Sequence, residues 1–352
     1  MKKFLFLFLC LLSFSLLYAQ EKPKGKFNGV LFGDYFYKIN GDSSGSSGQY
    51  SPYNKDVQGF MIRRTRLHYE HSFTDDFIGN IGMESNDISK LDNKVSFLMY
   101  DANLEWKNVV QYSSFLFGLM PTPAFVWGQS ERMYGYRPVE KTIADKNGLE
   151  SAVDIGVMMK GNFDKESKYG YLVMIANGKG LNPAVSRYLK YYASLNAKLF
   201  GDFVVEGFFD YQAGANEMYR YTVKGLLGYK GKHSEFTLEP VFQYRNNADG
   251  GLAPVNPFGV SVHTRYNLLR KTDREETEVL NAFARYDYFD PNSNKGYAGF
   301  RENFVSVGID IIPVKNFHIM PNVWMTFYKD KSPLEVEKKS DLVGRCTFWF
   351  VY

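Results

Sequence analysis

The sequence is poor in cysteine, in long apolar runs and in net charge. Only Cys10 and Cys346 occur in 352 residues, so a framework of several disulfides is excluded. Beyond the first twenty residues, no segment contains the roughly 18 consecutive apolar residues that a transmembrane helix needs. The formal net charge is only +4, which gives no reason to expect a nucleic-acid partner. These absences exclude helical membrane spans after the first twenty residues and a fold that depends on disulfides.

The first twenty residues have the composition of an export signal. Two lysines precede an uncharged, largely apolar run over Phe4–Leu17, and the small residue Ala19 follows it. This pattern predicts a secretory signal peptide over residues 1–19. A membrane anchor is the alternative, but about fourteen apolar residues are too few to span a bilayer comfortably. Removal of the two lysines would lower the formal net charge from +4 to +2 and leave Cys346 as the single cysteine.

Aromatic residues are abundant, although the chain is polar on average. Phe, Tyr and Trp make up 17% of the residues, while the mean hydropathy is −0.32. Segments of about ten residues alternate apolar with polar side chains. In Ser186–Phe200, for example, Leu189 and Tyr191 alternate with Lys190 and Tyr192. A period of two predicts strands with one apolar face, and aromatic residues near strand ends are typical of transmembrane β-barrels.

About sixteen such segments can be placed, which predicts an all-β, closed antiparallel transmembrane barrel over residues 20–352. Fourteen or eighteen strands, or a soluble β-sandwich or propeller, are the alternatives. An open sheet edge in hydrocarbon would leave unpaired N–H and C=O groups, so a membrane sheet has to close. Short connections alternate with long ones, which predicts short periplasmic turns and long external loops. The predicted strands start near residues 27, 59, 77, 95, 113, 151, 169, 188, 202, 219, 235, 256, 277, 303, 316 and 340.

Two stretches resemble a known family of outer-membrane proteins. Gly59–Phe77, GFMIRRTRLHYEHSFTDDF, is similar to the early strand pair of the phosphate-selective porin O and P family. Gly118–Gly161 has that family's order of a strand ending in Gly-x-x-Pro, a long charged insertion and a returning strand, here DIGVMMKG. At the level of strand count, the resemblance extends over most of the mature chain. It implies a sixteen-stranded porin that assembles as a homotrimer and whose third external loop folds into the lumen.

The insertion that matches this third loop, Pro121–Glu150, is the longest connection in the sequence. Loops of this length are uncommon unless they are functional, and a sixteen-stranded pore is wide enough for such a loop to narrow it. The stretch RPVEKTIADKNG predicts a short helix with Pro138 in its first turn and Gly148 after its end. An ordinary surface loop is the alternative. The candidate constriction residues are Arg132, Arg137, Glu140 and Lys141.

Charged residues alternate with the apolar series on the predicted strands. An Arg or Lys facing lipid near the midplane would cost about 2–4 kcal/mol, so we assign these charges to the lumen. Parity places Arg64 and Arg66 there, Tyr100 on the lipid face, and Arg63 in the lumen only if a β-bulge intervenes. The candidate pore-lining residues are Arg64, Arg66, Lys160, Lys190, Lys198, Arg220, Lys224, Arg245, Arg265, Arg285, Arg345, Asp101, Glu105, Glu206 and Asp210.

The balance of these charges bears on the transported solute. Rings or ladders of charge select ions in pores, and the resemblance implies a ladder of lumen arginines that favours phosphate. Basic residues only modestly outnumber acidic ones on the assigned lumen face, however. This balance favours a general diffusion pore with a weak preference for anions.

Catalytic and metal-binding motifs are weak. GDSSG at Gly41–Gly45 matches Gly-x-Ser-x-Gly but lies in a Gly/Ser-rich loop rather than in a strand-to-helix turn. The five histidines show no His-Glu-x-x-His spacing. Asp290–Glu302 approaches the pattern of a calcium loop but has Lys295 at the position that requires Gly. The sequence therefore predicts no enzymatic activity, no cofactor and no metal site.

The sequence ends in CTFWFVY, where Phe348, Phe350 and Tyr352 share one face of an alternating strand. This pattern is similar to the signal that the barrel assembly machinery of bacterial outer membranes reads, so we predict that these three residues form an assembly signal. The prediction as a whole is a porin surrounded by the outer-membrane lipid of a Gram-negative-type bacterium. It would pass small hydrophilic solutes or inorganic anions down their gradients. The alternative is a barrel with a closed lumen whose external loops serve adhesion or partner docking.

Overall fold

Strands make up most of the chain in the computed structural model, which describes residues 24–41, 50, 52–86, 90–91, 94–182, 185–246, 254–271, 277–294, 299–331 and 338–352. The predicted signal peptide lies outside these residues. The strands are β1 (Lys24–Asn40), β2 (Gln58–Ser72), β3 (Phe77–Asn86), β4 (Lys90–Leu91), β5 (Lys94–Val95), β6 (Leu98–Val110), β7 (Ser113–Pro121), β8 (Val153–Asn162), β9 (Tyr169–Ala176), β10 (Lys190–Lys198), β11 (Phe203–Ala213), β12 (Tyr219–Lys230), β13 (Ser234–Asn246), β14 (Phe258–Lys271), β15 (Thr277–Asp290), β16 (Phe300–Val314), β17 (Phe317–Asp330) and β18 (Asp341–Val351).

Two helices, α1 (Gln129–Tyr134) and α2 (Ile143–Lys146), lie between β7 and β8. Among the described residues, no helix has the length and apolar character needed to cross a membrane.

Sixteen of the strands, β1–β3 and β6–β18, form one closed antiparallel barrel in which each strand pairs with its neighbours along the chain. β18 closes the barrel by pairing with β1, with Val351 opposite Val30 and Leu342 opposite Asn40. β4 and β5 form a separate small hairpin. Closure leaves the sheet without an open edge. The prediction of sixteen strands is confirmed, and each predicted start lies within three residues of the observed one.

The two faces of the barrel wall differ in exposure and in chemistry. In β10, Tyr191 and Leu195 are exposed, whereas Lys190, Tyr192 and Ser194 between them are buried. The other strands repeat this pattern, with aromatic and aliphatic residues on the exposed face and most charged residues on the buried face. We call these the exposed face and the buried face. Strands alternate in this way because successive side chains point to opposite sides of a sheet.

A β-bulge in β2 brings an additional arginine to the buried face. Phe32 of β1 lies opposite Arg64, but the next residue, Gly33, lies opposite Ile62, so Arg63 is the extra residue. A Cβ atom on Gly33 would overlap the backbone of β2 at this point, so the close approach of the two strands requires glycine. Arg63 is buried as a result. Alternation along the sequence places Arg63 on the same face as Arg64 only if a β-bulge intervenes, and the structure contains that bulge.

A second register shift, between β3 and β6, corrects one sequence-based assignment. Gly82 lies opposite Asp101 and Met83 lies opposite Met99, so Tyr100 falls at the irregularity. Tyr100 is buried next to Asp101, and Met99 is exposed. The prediction that Tyr100 belongs to the apolar outer face is therefore wrong, because one extra residue reverses the alternation.

The connections differ between the two ends of the barrel. At one end, the short-turn end, the described connections are residues 73–76, 111–112, 163–168, 199–202, 231–233 and 315–316. Most connections at the other end, the long-loop end, are longer, and the longest runs from residue 122 to 152. The predicted alternation of short and long connections is confirmed. We call residues 122–152 the β7–β8 segment.

Candidate functional site

Most residues of the β7–β8 segment are buried, although the segment contains little regular structure. Gly135 ends α1 in the left-handed conformation, with a φ of 70°. The predicted short helix exists as α2, but its predicted start is wrong. Pro138 lies before it, where the N–H groups of Val139 and Glu140 both bond to the carbonyl of Tyr136 in a turn. α1 was not predicted, although Gly135 is a helix-end signal that the sequence carries.

Apolar side chains hold part of this segment against the barrel wall. Phe125, Ile143 and Leu149 are completely or almost completely buried in one hydrophobic cluster. The barrel strands supply the other members of the cluster, among them Met158 of β8 and Phe208 of β11. Burial of several large side chains stabilises such a contact by roughly 1.5–3 kcal/mol for each side chain. This part of the segment is therefore packed like a protein core.

Polar contacts connect the segment to strands on opposite sides of the barrel. Lys224 of β12 hydrogen-bonds the Ser130 hydroxyl, and the N–H of Gln129 donates to the Glu206 carboxylate of β11 at 2.6 Å. Eight residues after Ser130, the Pro138 carbonyl accepts a hydrogen bond from Arg63 of β2. β2 and β12 lie on opposite sides in the closed order of strands.

The middle of the segment contacts the strands that complete the barrel. Trp324 of β17 donates to the Glu140 carboxylate at 2.7 Å, and Arg285 of β15 donates to the Lys141 carbonyl at 2.7 Å. Arg345 of β18 donates to the carbonyl next to Glu140. Burial would raise the pKa of Glu140, but the positive charges of Lys146 and Arg345 and the Trp324 hydrogen bond lower it to about 2. Glu140 is therefore ionised at neutral pH and fixed in place by charge.

The end of the segment is anchored by Glu150. Its carboxylate accepts hydrogen bonds from Thr222 of β12 at 2.6 Å and from Gln243 of β13 at 3.2 Å, and it forms an ion pair with Lys190 of β10. Burial raises the pKa of Glu150, but the positive charges of Lys190 and Arg220 and the hydrogen bonds with Lys190 and Asp210 together outweigh burial and hold the pKa below its usual range. Lys190 also lies 3.3 Å from Asp210 of β11.

Eleven of the fifteen residues assigned to the lumen by parity fall into two groups. The first group is at most 5% exposed and is in contact or close to contact with the segment: Lys190, Lys224, Arg285, Arg345, Glu206 and Asp210. The second group keeps part of its side chain exposed, namely 25% for Arg66, 29% for Lys160, 13% for Glu105 and Asp101, and 11% for Arg64. These five lie on β2, β6 and β8. We call them, with His68 of β2, the partly exposed strip.

The remaining candidates lie towards the two ends of the barrel. Arg220 and Arg245 line a cavity of about 930 Å³ at the long-loop end. Lys198, at the end of β10, and Arg132 line a cavity of about 610 Å³ at the short-turn end. Arg265 of β14 pairs with Glu235 at 2.7 Å.

A four-residue cluster joins the two arginines of the partly exposed strip to two buried neighbours. The Glu84 carboxylate of β3 lies 3.2 Å from Arg64 Nε and 2.8 Å from a terminal nitrogen of Arg66. The Arg66 guanidinium lies 3.9 Å from the centre of the Tyr100 ring. We call Arg64, Arg66, Glu84 and Tyr100 the Glu84 cluster. Sequence analysis missed Glu84, although its alternation with Met83 would have placed it on the same face as the arginines.

The β7–β8 segment presents its own charges close to this cluster. Arg137 lies 3.3 Å from Glu131 and 3.1 Å from Asp145, and all three are partly exposed. Arg137 is near enough to Arg64 to interact with it electrostatically, and Glu131 to interact with Arg66. Two sets of charges, one on the wall and one on the segment, thus lie close to each other.

Other features of the sequence have structural explanations. The carboxylate of Asp290, in the stretch that approaches a calcium loop, pairs with Arg301 at 3.1 Å and Lys331 at 2.8 Å. Within the described ranges, no group of three His, Cys, Asp or Glu side chains is arranged to hold a metal ion. Most of GDSSG lies outside the described residues.

The predicted assembly residues lie on the closing strand and just after it. Phe348 and Phe350 are partly exposed, and Tyr352 is exposed. The Tyr352 ring stacks on Phe27 with ring centres 6.5 Å apart, and its backbone exchanges two hydrogen bonds with Gly29 of β1. These contacts continue the β1–β18 pairing to its last residue.

Comparisons with known proteins locate the fold among outer-membrane barrels. The channel DcaP of Acinetobacter baumannii is similar with a TM-score of 0.69 and 12% identity, over 95% of this chain and 98% of that one. The anion-selective porin from Comamonas acidovorans is similar with a TM-score of 0.62 and 11% identity, over 94% of this chain and 100% of that one. The trimer form of the outer membrane protein OmpT from Vibrio cholerae is similar with a TM-score of 0.60 and 11% identity, over 94% of this chain and 100% of that one.

No family model matches the sequence, and no curated protein matches it either. The identities are too low to carry function from one protein to another, but the coverage extends over nearly the whole chain. The chain therefore has the closed antiparallel barrel fold of outer-membrane porins and channels.

Proposed function

We propose that this protein is an outer-membrane porin through which small hydrophilic solutes and ions diffuse passively. In this proposal, the exposed apolar face contacts the lipid, the buried face encloses the lumen, and the long-loop end is external. The alternation of the wall supports this arrangement, because lipid-facing charges near the midplane would be costly. The barrel fold, which is that of known porins and channels, also supports it.

The β7–β8 segment is proposed to cross the lumen and narrow it. The observation that carries this proposal is that one segment contacts β2 through Pro138 and β12 through Ser130. These strands are on opposite sides of a closed barrel, and contacts of one segment with both of them support a path of the segment across the interior. The lumen-facing arginines and lysines buried against the segment would then hold it in place rather than line a water-filled path.

The solute path is proposed to run along the partly exposed strip. Arg64, Arg66 and Lys160 keep side-chain surface there, whereas charges on the opposite wall are covered. Arg64 and Arg66 would give the channel a weak preference for anions, with phosphate as one candidate. One oppositely charged residue, Glu84, lies beside both arginines, which supports a weak preference rather than a strong one.

Bilayer recordings test this function directly. Purified, refolded protein in planar bilayers should give stable open steps of conductance in potassium chloride. Reversal potentials in a salt gradient, with chloride and then with phosphate as the anion, would measure the preference. A correctly folded barrel that gives no conductance would reject the porin.

A closed barrel whose loops serve adhesion or docking is the second candidate. The burial of the segment in an apolar cluster favours it, because such packing could seal the lumen. Absence of open steps, together with binding of the protein to surfaces or partners, would support this candidate instead.

The remaining parts of the proposal concern export and assembly. We propose that residues 1–19 are a signal peptide cleaved after Ala19 and that the chain reaches the outer membrane of a Gram-negative-type bacterium. Phe348, Phe350 and Tyr352 would be read there by the barrel assembly machinery. A homotrimer is proposed because one structural neighbour is described as a trimer form. Assays for lipid and peptide hydrolysis would test the prediction that the barrel is not an enzyme.

A further inference from the structure

One buried carboxylate is shared by two arginines of the partly exposed strip. Glu84 lies 3.2 Å from Arg64 and 2.8 Å from Arg66, and its own side chain is only 1% exposed. The two arginines are more exposed, and Tyr100 packs against the guanidinium of Arg66. The solution therefore contacts the arginines, whereas the carboxylate that opposes them lies behind.

This arrangement sets the net charge of the Glu84 cluster. Two arginines and one carboxylate give +1, since Tyr100 is neutral. On the segment, Arg137 with Glu131 and Asp145 gives −1. The two sets lie close together, and their charges of +1 and −1 sum to zero. Removing the charge of Glu84 would leave the two sets with a combined net charge of +1.

We propose that Glu84 is a specificity-determining residue that limits the preference of the channel for anions. The inference rests on the proposed porin function, since it concerns the ions that pass through the lumen. A buried charge acts on nearby ions because little water screens it. In water, a unit charge at about 7 Å changes the energy of an ion by about RT, which corresponds to about a three-fold change in its local concentration.

Reversal potentials of four proteins in a potassium chloride gradient test the proposal. Glu84→Gln should raise the chloride-to-potassium permeability ratio about three-fold or more, because the local concentration of chloride rises and that of potassium falls. The double variant with Glu84→Gln and Arg66→Gln should return the ratio to near the wild-type value, since the cluster regains a charge of +1. Glu166→Gln is the matched control, because Glu166 is exposed in a turn at the short-turn end. It removes the same charge and should leave the ratio unchanged.

The rescue separates charge from structure. A merely structural role of Glu84 would not be reversed by neutralising a second residue. Where Glu84→Gln alone does not fold, Arg66→Gln is compared with the double variant, and the double variant should have the higher ratio. Conducting channels whose ratio does not respond to the charge of Glu84 would overturn this inference and leave the porin function standing. A folded wild-type barrel that does not conduct would overturn both.

Discussion

At the scale of single residues, the buried face combines charges with very different surroundings. The sequence alone could place Arg63 on the buried face only on the condition that β2 contains a bulge. Gly33 makes that bulge possible. Tyr100 was misplaced for the same physical reason. Parity is reliable along an uninterrupted strand, but one extra residue moves every later side chain to the other face.

Glu140 gives a prediction for pH at this scale. Its pKa is lowered from 4.5 to about 2, so its ionised form stabilises the folded protein by about 3 kcal/mol at most. This contribution is complete above about pH 4.5 and is lost as the pH falls through about 2. We expect Glu140→Gln to lower the free energy of unfolding clearly at pH 7 but only slightly at pH 2.

Urea unfolding in detergent at the two pH values, followed by the heat-dependent shift on a gel, measures this difference. Glu166→Gln, which removes an exposed carboxylate, serves as the control and should change stability little at either pH. An equal loss at pH 7 and pH 2 in Glu140→Gln would contradict the assignment of the effect to the charge.

At the scale of elements, the two most informative parts of the chain are the β7–β8 segment and β18. The sequence indicated both by simple signals, namely an unusually long charged connection and an alternating aromatic strand. It could not indicate where the segment goes. That depends on partners such as Glu206, Lys224 and Trp324, which are far away along the chain and come near only after the barrel closes.

The closing strand leads to a prediction about assembly. Deletion of Phe350–Tyr352 removes the Val351–Val30 pair and the two backbone hydrogen bonds between Tyr352 and Gly29. We expect the truncated protein to fail in assembly, because the sheet would lose part of its closing edge together with two of the three predicted signal residues. Heat modifiability of the protein in outer-membrane fractions measures this outcome.

Cys346→Ser is the control for the truncation, since Cys346 lies on the same strand and face but is not aromatic. It should assemble normally. A truncated chain that still forms a heat-modifiable barrel would reject this interpretation of the last strand.

At the scale of the whole molecule, the enclosed space is asymmetric. The wall formed by β10–β13 and β15–β18 contacts the segment through buried polar and charged groups, as Arg63 of β2 also does. The other charges of β2, with those of β6 and β8, form the partly exposed strip. An off-centre path of this kind would have a smaller conductance than an unobstructed barrel of sixteen strands. For the proposed porin, the near balance of charges in the sequence therefore says little about ion selectivity, since most of the charges are covered.

The proposed trimer is a prediction at this scale. Native mass measurement in detergent should give three chains per particle, and conductance should then appear in groups of three equal steps. A mild reduction of detergent concentration during purification controls for loss of subunits. Particles of one chain that conduct in single steps under all conditions would contradict the trimer.

The sequence by itself determined the fold class, the number of strands, their approximate starts and the position of the longest connection. These features follow from local alternation and from turn residues, which are properties of neighbours along the chain. Only the tertiary structure decided which side chains of β2 and β6 lie on the buried face after their bulges. It also decided the burial of most of residues 122–152 and the pairing of Glu84 with two arginines. Bulges and contacts between distant strands arise when the sheet closes, so no local pattern could specify them.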